Sequence, residues 1–300
     1  FNPQQYAQFV NKELPLVKAA GKIPMGWADG FATVAGTKPP VGSIAEAWEP
    51  KATDATAAVS KGMKIVMAPA DRTYLDQSYP KDNSGLGLGW ACRGCDLDQN
   101  YNWDPATLNA QVPSSSIYGV EGALWAETIP QLADAEYLLL PRLMAVSEIA
   151  WSPTAARTGV TSPAFVDFAG RLADQGPRLQ AAGLNFYTTK QVPWGITGTG
   201  DGATVNDKNK VVGTLAKVSA PGVDPTALTA SINWGDGTKA KVGTIAGTGP
   251  TPGRVNALYT LTGKHTYAVS SCGGAATCNH TVTITVTSST GTTGTFEVTV

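Results

Sequence analysis

The residues of this chain best suited to chemistry are large rings and carboxylates that sit where short apolar runs end. Trp27 closes the run Ile23-Pro24-Met25-Gly26-Trp27, and Trp48 closes Ser43-Ile44-Ala45-Glu46-Ala47-Trp48. Tyr74 and Asp76 follow Lys64-Ile65-Val66-Met67-Ala68-Pro69, while Trp125 with Glu127 closes the run that begins at Tyr118. Trp90 lies in the long segment between the last two runs. Together these groups suit a carbohydrate. Aromatic rings stack on the apolar C–H faces of a sugar, and carboxylates accept hydrogen bonds from its hydroxyls, each such bond contributing about 1.5–3 kcal/mol. Every one of these residues also has a plain structural role open to it. A tryptophan at a strand end is commonly packing, and Trp103 and Trp151 are read that way. Tyr74 can cap a loop and Asp76 a turn. The same chemistry recurring at four strand ends favours the binding role.

The elements that must position these groups are legible from periodicity. Tyr6, Phe9, Val10, Leu14 and Val17 are spaced for one face of a helix that Gly21 ends. Further helices are expected over 51–62, ending at Gly62, and over 131–150 and 163–182. Strands 23–27, 43–48, 64–69 and 118–125 alternate with them, which implies a parallel sheet with helical crossovers and an α/β fold. Four βα units fill about 190 residues, whereas a closed eight-unit barrel needs about 250. A half barrel leaves two open sheet edges, which folded proteins avoid, so residues 1–192 are expected to be incomplete alone.

Composition changes around residues 193–202, where Pro193, Trp194 and several glycines read as a linker. Beyond it, 203–300 carry Thr- and Val-rich alternating runs and turn signals, expected to form an all-β sandwich. Leu228–Trp234 runs into Gly235-Asp236-Gly237-Thr238, a hairpin-type turn, and Thr281–Val286 is a later strand. Trp234, Asp236 and His265 are read as a core ring, a turn former and strand-end packing. The net charge of -1 over 300 residues gives no electrostatic reason to expect nucleic acid or an anionic membrane surface as partner. No run of apolar residues is long enough to span a bilayer. Four cysteines fall into two local pairs, Cys92/Cys95 and Cys272/Cys278. They are expected as disulfides of a secreted, extracellular protein, in preference to a zinc site that would recruit His280 beside Cys278. No metal and no cofactor are expected.

The series Gly26-Trp27-Ala28-Asp29, Ala47-Trp48, Tyr74-Leu75-Asp76, Leu88-Gly89-Trp90, Leu124-Trp125-Ala126-Glu127 and Pro141-Arg142-Leu143-Met144-Ala145, with Glu148 and Trp151, resembles the second half of glycoside hydrolase family 20. Asp29 departs from the glutamate that the family often has. The resemblance implies the C-terminal half of a (β/α)8 TIM barrel and an exo-acting β-N-acetylhexosaminidase with a substrate-assisted retaining mechanism. It implies that Trp27, Trp48 and Trp125 wall the acetamido pocket and that Tyr74 donates to the acetamido oxygen. Asp76 and Glu127 would hold sugar hydroxyls, and Trp90 would face the pocket rim. The family's adjacent Asp–Glu pair has no counterpart, since no Asp-Glu dipeptide occurs in the 300 residues. The pair is therefore expected upstream of Phe1, on the missing N-terminal half of the barrel, in the same precursor or as a second chain. The expected partner is an N-acetylhexosamine-terminated glycan. The Trp-Gly-Asp-Gly-Thr and His-Thr-Tyr elements resemble the polycystic-kidney-disease type of immunoglobulin-like domain. The alternative reading is a non-catalytic secreted glycan-binding or spacer protein.

Overall fold

A computed structural model describes residues 1–153, 157–249, 258–268, 271 and 279–300. The chain divides into two compact units, Phe1–Asp167 and Phe168–Val300. The first opens with helix α1 (Pro3–Ala19), capped by the Asn2 side chain, which accepts from the N–H groups of Gln4 and Gln5 at 3.1 Å each. Strand β1 (Met25–Trp27) runs directly into the single turn α2 (Ala28–Phe31). There follow β2 (Ile44–Ala47), α3 (Ala55–Ser60), β3 (Lys64–Met67), the single turn α4 (Ala70–Thr73), α5 (Leu97–Tyr101) and β4 (Ile117–Val120). The four strands form one parallel sheet in the order β1-β2-β3-β4. Ala45, Ala47, Ile65 and Met67 pack on its helix side with Ala28, Phe31, Ala55 and Ala58. Because side chains alternate along a strand, Glu46 and Trp48 belong to the opposite face.

The helices depart from their expected spans where proline or backbone geometry intervenes. The helix expected over 51–62 begins only at Ala55, because Pro50–Ala52 form a separate turn in which Lys51 takes φ 62°. The helix expected over 131–150 is two, α6 (Leu132–Leu139) and α7 (Arg142–Trp151), broken at Pro141. Proline lacks the N–H and disfavours helical geometry in the residue before it. The one over 163–182 is likewise two, α8 (Pro163–Ala173) and α9 (Gly176–Ala181). Trp103 is buried, as read, but Trp151 at the end of α7 is 90% exposed.

The second unit holds β5 (Thr197–Gly200), the pair β6 (Thr204–Val205) and β7 (Val211–Val212), β8 (Ala216–Ser219), β9 (Leu228–Asn233), β10 (Lys241–Ala246), β11 (Tyr259–Thr262), β12 (Thr281–Ser288) and β13 (Thr293–Thr299). Seven strands form a sheet of order β13-β12-β9-β10-β11-β8-β5, every pairing antiparallel. Its two end strands approach each other, with Gly198 facing the Phe296 ring so closely that a Cβ would lie 2.2 Å from it. The sheet thereby encloses a core of Trp234, Tyr259, Leu215, Ile232 and Val282. The segment read as linker is thus partly structural, since β5 pairs with β8 along its length. The division between the units also falls earlier than residue 192. The Gln180 amide oxygen accepts from the Ser219 hydroxyl, which ties α9 to β8 within the second unit. The β9–β10 hairpin forms as read, and a Cβ on Gly235 (φ +75°) would meet the Thr281 carbonyl oxygen at 2.3 Å. Cys272 and Cys278 lie outside the described residues.

Candidate functional site

The first unit brings all seven predicted sugar-binding residues to one cavity. Trp27 is the last residue of β1 and Trp48 the first after β2. After β3 the α4 turn carries the chain to Tyr74, where a bridge to Ala123 joins it to the segment beyond β4. Leu75 donates to the Ala123 carbonyl at 2.7 Å and Ala123 to the Thr73 carbonyl at 3.1 Å. The strand expected to reach Trp125 stops at Val120, after a register shift between Ile65 and Val66. These loop hydrogen bonds, rather than a strand, aim Trp125 and Glu127.

Five rings form an unbroken arc. Trp27 and Trp125 have centroids 5.8 Å apart, Trp125 and Tyr74 5.9 Å, Tyr74 and Trp90 5.9 Å, and Trp90 and Trp48 6.1 Å. Asp76, Glu127, Asp29 and Leu88 complete a cavity of about 640 Å³ with them, within the range of ordinary small-molecule sites. Tyr74 and Asp76 are buried, while Trp90 is 56% and Trp125 40% exposed at the mouth.

Burial is the main influence on the ionisable groups. It pushes the Tyr74 hydroxyl well above its usual range, and the negative charge of Glu46 adds to the effect. The Trp125 indole N–H donates to that hydroxyl and opposes the shift in part. Burial also raises the Asp76 carboxyl against backbone hydrogen bonds from Asp76 and Trp125, with Glu127 adding to the rise. The loop carrying Trp90 is held by Gln77, whose side-chain oxygen accepts from the N–H groups of Ala91 (3.2 Å) and Cys92 (3.3 Å). A disulfide joins Cys92 to Cys95. Gly87 takes φ +80°, and a Cβ there would lie 2.6 Å from the Ser78 nitrogen. Arg142 is fully buried and donates to the carbonyls of Gln77 (2.5 Å), Ser78 (3.2 Å) and Cys95 (2.6 Å), with its guanidinium 3.6 Å over the Tyr79 ring. One cation thereby fixes both loops that flank Asp76.

Two acids escaped the sequence reading of the site. Asp29 lines the cavity. Glu46 is 6% exposed, and burial with the neighbouring Glu121 carboxyl pushes it to about 7. The signal was present, since a charged residue in the middle of a buried parallel strand breaks the usual apolar run. Among the described residues no cluster of three or more His, Cys, Asp or Glu side chains could hold a metal, and no helix is long and apolar enough to cross a membrane.

Comparison with known proteins gives one consistent answer. The model of "Glycosyl hydrolase family 20, catalytic domain" matches residues 2–154. A beta-N-acetylhexosaminidase of Cellulomonas fimi is 35% identical over 201 residues, covering 66% of this chain and 38% of its own length. Among solved structures, a mutant Streptomyces plicatus beta-hexosaminidase in complex with product (GlcNAc) matches with a TM-score of 0.56 and 34% identity, over 64% of this chain and 37% of that one. A family 20 beta-N-acetylhexosaminidase of Streptomyces coelicolor A3(2) matches with a TM-score of 0.51 and 35% identity, over 60% of this chain and 35% of that one. The chain spans less than two fifths of the length of each of these relatives. The solved neighbours imply a TIM-barrel-type α/β fold for the matched region.

Proposed function

This chain belongs to glycosyl hydrolase family 20, and we propose that it is the C-terminal half of the catalytic barrel of an exo-acting β-N-acetylhexosaminidase. The observation that carries this reading is the arc of five rings closed by Asp76 and Glu127 around one cavity. Such a pocket grips a terminal N-acetylhexosamine by its apolar faces while the carboxylates hold its hydroxyls. Trp27, Trp48 and Trp125 wall the acetamido group, whose oxygen attacks the anomeric carbon of its own ring. Tyr74 donates to that oxygen. Its raised pKa supports the role, because the hydroxyl keeps its proton throughout the working pH range. Holding the neighbouring-group nucleophile in line removes several kcal/mol from the barrier.

The general acid and the carboxylate that steadies the acetamido nitrogen come, in this reading, from an Asp–Glu pair on an upstream half of the barrel. That half closes the two sheet edges, where Met25 on β1 is 47% and Tyr118 on β4 is 68% exposed. The second unit is read as an immunoglobulin-like module of the polycystic-kidney-disease type. The protein is read as secreted and extracellular, with Cys272 and Cys278 as a second disulfide. The chain combined with its upstream half is expected to release nitrophenol from nitrophenyl N-acetyl-β-glucosaminide. Binding of N-acetylglucosamine without release would replace this reading with the non-catalytic, glycan-binding one.

A further inference from the structure

Glu46 takes no part in the site as proposed, yet it is the least expected side chain beneath it. It sits in mid-strand on β2, with Trp27 of β1 and Val66 of β3 as its register partners. Glu121 follows β4 directly, its N–H donating to the Met67 carbonyl at 3.0 Å. β2 and β4 are alternate strands, and alternate strands of a β/α barrel contribute side chains to the same interior layer. The two carboxyls accordingly meet over Val66, within hydrogen-bonding reach of each other. Oε1 of Glu46 finds no hydrogen-bond partner among the described residues. The charged or titratable groups that face Glu46 are Glu121 from the end of β4 and Tyr74 from the end of α4. β1 and β3 place only Trp27 and Val66 beside it.

We propose that Glu46 and Glu121 share one proton in the layer beneath the pocket floor, and that Glu46 is a positioning residue that keeps one negative charge under Tyr74. Two carboxylates in contact at low dielectric do not both ionise, so one proton is held between them. The remaining charge opposes ionisation of the Tyr74 hydroxyl and favours the positive charge that builds on the sugar during the reaction. This second consequence rests on the hexosaminidase reading above, whereas the shared proton does not.

Two measurements separate them. Thermal unfolding of the 300-residue chain between pH 4 and pH 8 reads the shared proton directly, without any catalysis. A folded-state pKa near 7 against an ordinary 4.5 makes the folded protein the tighter proton binder. Stability therefore falls as pH rises from about 4.5 to about 7, and Glu46→Gln makes that slope shallower, leaving the part due to Asp54. A profile as flat as that of Glu46→Gln overturns the shared proton. In the completed enzyme, Glu46→Gln with Glu121→Gln removes the charge, and kcat is expected to fall about tenfold or more with KM within about twofold. Glu46→Gln alone retains Glu121 as a carboxylate and is expected to recover most of that loss. Equal losses in kcat and KM, or no recovery with the single variant, overturn the positioning role. A completed wild-type enzyme without activity defeats the hexosaminidase reading but leaves the unfolding result standing. If the double variant fails to fold, the difference in slope between the wild type and Glu46→Gln still decides the shared proton.

Discussion

The two units use the same residue types to opposite ends. In the second, Trp234 is fully buried and stacks on His265 with centroids 4.7 Å apart, and His265 Nε2 lies 2.8 Å from the Asp236 carboxylate. Tyr267 donates its hydroxyl to the Trp234 carbonyl at 3.0 Å. Burial pushes Asp236 up, but the Thr238 and His265 hydrogen bonds outweigh it and bring the carboxyl down to about 2. The carboxylate, the imidazole and the phenol of this cluster each find a partner, and the rings face one another; the Trp234 indole N–H is buried without one among the described residues. In the first unit, rings of the same kind surround about 640 Å³ of open space. Three of its buried acids, Glu46, Asp54 and Asp76, are raised, chiefly by burial and further by neighbouring carboxylates. An acid lowered by its neighbours marks architecture. An acid raised by burial in the wall of a cavity, as Asp76 is, marks a candidate site.

The comparison can be broken at several points. The largest effect is expected from Trp234→Ala, which should destabilise the second unit by about 3–5 kcal/mol. Denaturant unfolding followed by tryptophan fluorescence measures it, and a cost under about 1 kcal/mol would mean that the ring is not the centre of that core. Next comes Tyr74→Phe in the completed enzyme. Loss of one donor to developing charge costs about 10²–10³ in turnover, and steady-state kinetics should show the loss in kcat with KM little altered. Unchanged turnover would remove Tyr74 from the chemistry. A third test uses acid. Asp236 has a depressed folded pKa, so its contribution is complete above about 4 and disappears as pH falls from 3.8 towards 2. Asp236→Asn should flatten the acid limb of the unfolding curve, the reverse of the slope assigned to Glu46. The smallest effect is expected at Asp54, which burial and then Glu49 push to about 7. Asp54→Asn should raise the melting temperature by a few degrees at pH 8, by less at pH 5, and leave it nearly unchanged only below about pH 4.

Much of the site was legible before any coordinates, and for a definite reason. Trp27, Trp48, Tyr74, Asp76 and Trp125 sit at or just beyond strand ends, and strand ends follow from apolar runs and the breakers after them. Trp90 was the harder case, since its loop is held over the cavity by contacts from other segments, among them Gln77 to Ala91 and Cys92 and Arg142 to the Cys95 carbonyl. Arg142 illustrates the opposite limit. It belongs to a recognisable sequence pattern, but its work is done on carbonyls 47 to 65 residues away. No local propensity encodes such a contact. Trp151 reads as packing in sequence and stands in solvent in the structure, because an aromatic type records capacity for burial rather than the presence of a neighbour.

The sequence by itself determined the α/β character of the first unit, the order and starts of its strands, the β-rich nature of the second unit, and the residues whose rings and carboxylates suit a sugar. Periodicity and residue chemistry are local properties, and they need no partner to be read. Only the tertiary structure decided that the five rings form one arc, that residues 131–150 and 163–182 each bend into two helices, and that Thr197–Gly200 pairs as a strand. Only it brought Glu46 against Glu121 across an intervening strand. Those outcomes depend on which distant segments exclude water from one another, and burial of that kind exists only once the chain has folded.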